Sequence, residues 1–159
     1  EWNMSIAKDE YTVTFKDGEI QETQTVEHET AAIAPEWTKE GYTLSWDKDI
    51  TSITEDMTVN AVWIPNTNTA YKVEYYKQKL ELDGYEIAET ENEEGTTGQE
   101  VTAIPKEYEG FTENTEYSER KVTGIIEGDG SLVLKLYYDR IKSKVTLNLG
   151  SESQEIYIW

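Results

Sequence analysis

His28, the single histidine of the chain, sits in Thr25-Val26-Glu27-His28-Glu29, and with Ser45 or Ser52 and an acid it would complete a nucleophilic triad. That chemistry needs a serine held on a sharp turn within reach of the imidazole. No Gly-x-Ser-x-Gly segment supplies one, and a histidine on a solvated strand is the simpler expectation. No second histidine is present to make a metal pair, and with no cysteine there is no thiolate ligand. The stretch Glu89-Thr90-Glu91-Asn92-Glu93-Glu94-Gly95 offers hard oxygen ligands for Ca²⁺, but its spacing departs from the D-x-[DN]-x-[DN]-G loop. Gly128-Asp129-Gly130 is more simply a tight turn that uses glycine's backbone freedom. Among 33 acids a pair suited to glycoside hydrolysis exists on paper. Acids spread over alternating polar faces are expected to be solvated, and a hydrolase needs a deep cleft that small modules rarely form. The expectation is a non-enzyme with no catalytic residue, no metal and no cofactor; a fragment of a polysaccharide-acting enzyme is the remote alternative.

Tyrosines carry the more productive chemistry. Tyr76 and Tyr137 fall on the face opposite the apolar stripes of their strands, and Tyr117 lies in a polar stretch, residues 113–121. A ring beside Asp, Glu or Asn can stack on the apolar C–H face of a sugar. These three are the candidate ligand contacts, weighed against a cross-strand pair that merely covers the sheet.

The elements that must position them are strands, since alternation of period two dominates the chain. Tyr11, Val13 and Phe15 share one face, Tyr42, Leu44 and Trp46 another, and Val59, Ala61 and Trp63 a third. Tyr71, Val73 and Tyr75 alternate with Lys72 and Glu74, and Leu132, Leu134, Leu136 and Tyr138 form the longest stripe. Helical pattern is weak: residues 29–34 allow one short helix before Pro35, and residues 107–111 are ambiguous. The chain is therefore mainly β (or α+β), with at most one short helix per module.

Two halves share this layout. Each opens with aromatic-x-Val-x-aromatic (residues 11–15 and 71–75), carries a central Gly-aromatic-Thr (41–43 and 110–112) and closes on an apolar strand ending in aromatics (58–63 and 132–138). This gives modules at 11–64 and 71–140 joined by a linker at 65–70. Residues 1–10 read as the end of a preceding repeat or linker. Residues 141–159 read as a hairpin around Gly150-Ser151-Glu152-Ser153 that opens a third module. A start at Glu1 rather than Met, with no signal peptide, suggests a piece of a longer protein.

Composition narrows the partners. A formal charge of −19, carried by both halves, repels nucleic-acid phosphates and anionic membranes. No run of about 18 apolar residues is present to span a bilayer. The lack of cysteine fits a reducing cytosol and equally a bacterial surface protein without disulfides. With 5 Trp, 11 Tyr and 2 Phe in strand-like positions, a folded chain is expected rather than a disordered one.

At these residues the chain resembles two repeat families. Residues 11–63, with Y-T-V-T-F, K-E-G-Y-T-L-S-W and I-T-E-D-M-T-V-N-A-V-W, resemble the Listeria–Bacteroides (internalin B-type) repeat. Leu44 stands where that pattern commonly has an aromatic, and Ser45 where glycine usually precedes the Trp. Residues 71–140, with Y-K-V-E-Y-Y-K, G-Y-E-I-A-E-T, G-T-T-G, Y-E-G-F-T and G-D-G-S-L-V-L-K-L-Y-Y-D-R, resemble mucin-binding-protein (MucBP-like) repeats of Gram-positive surface proteins. The resemblance implies two tandem small β-grasp (ubiquitin-like) modules, each with a mixed sheet, in an extracellular, cell-surface or cell-wall-attached protein. It further implies a stalk, spacer or adhesin segment whose partners are neighbouring repeats and host or environmental glycans or glycoproteins. The alternative it leaves open is a dedicated glycan- or mucin-binding module.

Overall fold

The computed structural model describes residues 9–150 and 152–158. The expected end of a preceding repeat, Glu1-Trp2, lies outside the described residues. The chain divides into two compact units between Asn66 and Thr67. Both are mainly β, built on mixed sheets, and no helix forms among the described residues.

The first unit contains β1 (Glu10–Asp17), β2 (Ile20–Glu27), β3 (Tyr42–Trp46) and β4 (Met57–Pro65) in the order β2-β1-β4-β3. β1 and β2 form a hairpin in full register from Glu10↔Glu27 to Asp17↔Ile20. Its two-residue loop begins with Gly18 at φ 61°, the positive dihedral that the first position of a tight hairpin turn asks of glycine. β1 and β4 then pair in parallel, from Val13↔Met57 to Lys16↔Asn60. The inward residues Val13, Phe15 and Val59 are fully buried with Ile53, and Val26 and Ala32 are buried beside them. Trp46 from β3 sets its edge against Phe15, with ring centroids 4.9 Å apart, and Trp37 leans on Trp46 at 5.5 Å.

The short helix expected at residues 29–34 does not form. The backbone there pairs sideways with a second strap instead of along itself: Ala32 N donates to Ile50 O at 2.9 Å, and Ile53 N donates to Thr30 O at 2.9 Å. Glu29 has a positive φ of 61°, and the Gln24 side chain holds both the N–H and the carbonyl of Ile33 at 2.7 Å. Those donors and acceptors are then unavailable to an i→i−4 ladder. The sheet face is covered by two hydrogen-bonded irregular straps rather than a helix.

The second unit repeats this plan with additions. β5 (Thr69–Gln78), β6 (Tyr85–Gly95), β8 (Phe111–Glu113) and β10 (Val133–Arg140) make a sheet of order β6-β5-β10-β8, and β7 (Glu100–Thr102) with β9 (Thr123–Ile125) forms a separate ribbon. β5 and β10 pair in parallel from Lys72↔Val133 to Lys77↔Tyr138. Val73, Tyr75, Leu134, Leu136 and Tyr138 line the inner face and meet Ala103, Ile126 and Leu132 in one core. Residues 107–111, ambiguous in sequence, form a turn in which Phe111 N donates to Tyr108 O at 3.0 Å, and β8 starts at Phe111. Polar handles of the core tyrosines tie down its cover: Tyr75 donates to Ile104 O at 3.0 Å, and Lys106 N donates to the Tyr138 hydroxyl at 2.8 Å.

β4 runs to Pro65 and β5 opens at Thr69, so Asn66, Thr67 and Asn68 are all that separate the two sheets in sequence. The C-terminal residues form an antiparallel hairpin, β11 (Ser143–Leu149) with β12 (Glu152–Ile158). Its strands extend closer to Gly150 than the sequence suggests, with Glu152 and Ser153 already paired.

The parallel pair with its inward stripe dictates where truncation hurts. Leu134→Ala, at a fully buried position, should cost the second unit about 2–5 kcal/mol through lost burial and the cavity left behind. Ile104→Ala, at a side chain 80% exposed, should cost no more than about 0.5 kcal/mol. Urea unfolding of the two variants checks this; equal midpoints would contradict the assigned core.

Candidate functional site

The outer face of the second sheet carries the tyrosines. Because side chains alternate along a strand, Tyr76 on β5 and Tyr137 on β10 point away from the core that holds Tyr75, Leu136 and Tyr138. They are direct partners in the parallel ladder, and their rings stack with centroids 4.7 Å apart and planes inclined by 16°.

A fourth tyrosine completes the cluster. The ladder between β5 and β6 shifts register at Tyr75/Tyr76: Tyr75 faces Glu89 while Tyr76 faces Ile87, leaving Ala88 as the extra residue of a bulge. On the far side of the bulge Tyr85 turns to the outer face. Its ring lies 5.0 Å from Tyr137 at 75°. Its hydroxyl donates to Asp139 Oδ1 and accepts from Asn114 Nδ2 at 3.2 Å, which also reaches Asp139 Oδ2 at 3.1 Å.

Tyr117 arrives on a loop. Residues 114–120 leave the sheet edge after β8 and rejoin it where Lys121 bridges to Lys135 on β10. Asn114 N donates to Tyr137 O at 2.7 Å, Glu116 N to Asn114 Oδ1 at 3.1 Å, and Arg120 N to Tyr117 O at 3.1 Å. Arg120 forks onto both Glu113 oxygens at 3.1 and 3.3 Å. So anchored at both ends, the loop lays Tyr117 against Tyr137 at 4.5 Å and Tyr85 at 4.7 Å.

The three candidate contacts Tyr76, Tyr117 and Tyr137 therefore come together, and Tyr85 joins them. Their availability differs. Tyr137 is only 3% exposed, closed in by its neighbours, so it supports the others rather than meeting a ligand itself. Tyr76, Tyr85 and Tyr117 are half-buried; Tyr85 bonds Asn114 and Asp139, and Tyr76 donates to Glu74 Oε1 at 2.8 Å. Strict alternation through residues 85–95 would put Tyr85 on the same face as Glu89 and Glu91; only the bulge reverses it, and no residue type announces that bulge.

No family model matches the chain, and no curated protein matches it. The site's chemistry thus stands on its geometry.

The remaining candidates resolve into structural roles. His28 is paired with the Tyr11 hydroxyl at 3.1 Å and with Glu29 at 3.3 Å rather than with a serine. Glu89 and Glu91, from the acidic stretch, ion-pair with Lys106 at 3.0 and 3.1 Å along β6. Asp129 accepts from Ser131 N at 3.0 Å in a turn where Gly130 takes φ 75°. Among the described residues no group of three or more His, Cys, Asp and Glu side chains converges as a metal would require. A cleft of about 370 Å³ lies on the core side of β6, bounded by Tyr71, Tyr75, Glu91, Glu93, Ile104 and Lys106; the Lys106 ammonium spans it, 4.6 Å over the Tyr75 ring.

Burial is the first cause raising the tyrosine pKa values of the outer face. It pushes Tyr76, hydrogen-bonded to Glu74, up to about 12. It pushes Tyr137, near Glu119, up to about 12 as well. Tyr85 and Tyr117 are raised too, by burial and then by their carboxylate partners. For a group whose folded pKa exceeds its unfolded one, the stabilisation is complete below the unfolded value and is lost as pH rises through the folded value. Stability should therefore hold up to about pH 10 and fall between 10 and 12. An absorbance titration at the tyrosinate band should show late-ionising tyrosines whose ionisation coincides with loss of the folded circular-dichroism signal. Ionisation of every tyrosine near 10 in the folded protein would contradict the packing described.

Proposed function

We propose that this chain is a non-enzymatic repeat segment of an extracellular bacterial surface protein, in which two tandem β-grasp modules serve as a stalk or spacer and adhesion segment. The observation that carries this reading is that each unit's first and last sheet strands are parallel neighbours, β1 with β4 and β5 with β10. Parallel strands begin at the same end of a sheet, so the chain enters each unit at one end and leaves at the other. With about 3.3 Å of rise per residue, the registers advance the chain by roughly 30 Å per unit. A module threaded in that way spaces whatever lies before it from whatever lies after it.

The order β2-β1-β4-β3, repeated as β6-β5-β10-β8 with a crossover covering one face, supports the β-grasp assignment, with irregular straps where such folds carry a helix. The resemblance of residues 11–63 to Listeria–Bacteroides repeats and of 71–140 to MucBP-like repeats supports a Gram-positive, wall-attached parent. The charge of −19 suits a solvated surface segment without nucleic-acid or membrane partners.

One observation favours a second reading, a glycan- or mucin-binding module: Tyr85 and Tyr117 pack together with Asn114 and Asp139 at the Tyr85 hydroxyl, and half-buried Tyr76 with its Glu74 partner lies on the same face. Weak contacts there would gain from repetition. A glycan array probed with a multivalent display of the chain, together with small-angle scattering, separates the two. The spacer reading expects no retained glycan and the scattering of an extended monomer. A glycan signal that disappears in Tyr117→Ala would replace it with the binding module, and a compact scattering profile would remove the spacer outright.

A further inference from the structure

We infer that each unit is a load-bearing element in which tension along the chain is resisted in shear by its central parallel ladder. The source of tension rests on the stalk reading above; the resistance follows from topology alone. Force on the two ends of the first unit pulls β1 toward its N-terminal end and β4 toward its C-terminal end. For parallel neighbours these directions are opposed and lie along the strands. The ladder hydrogen bonds from Val13↔Met57 to Lys16↔Asn60 are then loaded together, whereas peeling from one end would break them in turn. Forced unfolding reports the unfolding barrier, which is set by how many bonds must fail at once.

Hydrogen bonds resist best where water cannot replace them. On the inner face both ladders are dry: Val13, Phe15 and Val59 are fully buried in the first unit, and Leu134 and Leu136 in the second. The outer faces differ. Thr58 and Asn60 on β4 are exposed, so the first ladder is wet on that side. In the second unit the Tyr76–Tyr137 stack lies directly across the β5–β10 ladder, with Tyr137 buried. That ladder is also longer, running over Lys72 to Lys77 on β5 rather than Val13 to Lys16 on β1. The second unit is therefore the stronger element, and the tyrosine stack is the shield of its clamp.

The chain contains no cysteine, so cysteine handles attach at chosen points of the full chain. Asp9→Cys with Thr67→Cys shears the first unit, and Glu19→Cys with Val62→Cys peels β1 from β4 because the register puts both handles level at the end of the shared ladder. Asn68→Cys with Lys142→Cys and Leu80→Cys with Lys142→Cys do the same for β5 and β10. Single-molecule pulling at one loading rate should give a several-fold higher force in shear than in peeling for each unit, and a higher shear force for the second unit than the first. Tyr76→Thr should lower the shear force of the second unit toward that of the first. Equal shear and peel forces would overturn the inference even if scattering and glycan arrays upheld the spacer. A glycan ligand would displace the spacer reading while leaving the force anisotropy intact. Should Tyr76→Thr fail to fold, the handle comparison on the unsubstituted sheet still decides.

Discussion

Each unit depends on joining in parallel two strands that lie far apart in the chain, Val13 with Met57 and Lys72 with Val133. Closing such a loop costs chain entropy before any reward arrives, and parallel pairs cannot be joined by a tight turn. The reward is the inward stripe: Val13 and Phe15 meet Val59, and Val73 and Tyr75 meet Leu134 and Leu136, all at low exposure. Everything else is arranged around that bargain. The outer hairpin strands β2 and β6 add to one side of the pair, β3 and β8 to the other, and the crossovers cover the inner face.

Acidic residues then fill a role that follows from openness. A four-stranded open sheet leaves edges whose backbone groups invite a second chain. β6 carries Glu86, Glu89, Glu91, Glu93 and Glu94, and β2 carries Glu22 and Glu27. Charges along these strands discourage edge-to-edge pairing, and the Ala88 bulge further disturbs the β6 ladder. The acidity is best understood as a property of strand faces and edges; among the described residues the ion pairs of Lys106 with Glu89 and Glu91 and of Arg120 with Glu113 engage a small part of it.

Alternation made the strands legible: residues 11–15, 42–46, 71–75 and 132–138 lie in or beside strands, and their assigned apolar residues belong to or pack on the cores, except that of the 42–46 stripe only Trp46 does. The structure adds a correspondence to the repeated layout: Ala32-Ile33 and Ala103-Ile104 are each a buried alanine followed by an isoleucine about four-fifths exposed. The straps were not legible. Apolar residues at 31–34 fit a short helix as well as a strap. What decides is partners from elsewhere in the chain, namely Ile50, Ile53 and the Gln24 side chain. Local periodicity cannot report a hydrogen bond to a residue twenty positions away.

The tyrosine cluster shows the same divide more sharply. Opposition of Tyr76 and Tyr137 to their apolar stripes follows from period two, and so does their common face. That they stack requires the ladder register, and that Tyr85 joins them requires one extra residue, Ala88, in the edge strand. Move the bulge past Tyr85 and that ring would turn toward Glu89 on the core side, Asp139 would lose one of its two donors, and Tyr137 would lose part of its cover. The face that could hold a sugar and the face that shields the β5–β10 ladder are thus one surface, fixed by one irregularity. Tyr137 already spends its ring area on neighbours, so any ligand must compete for the rims of Tyr76, Tyr85 and Tyr117. That competition is why the same geometry speaks more strongly for shielding than for recognition.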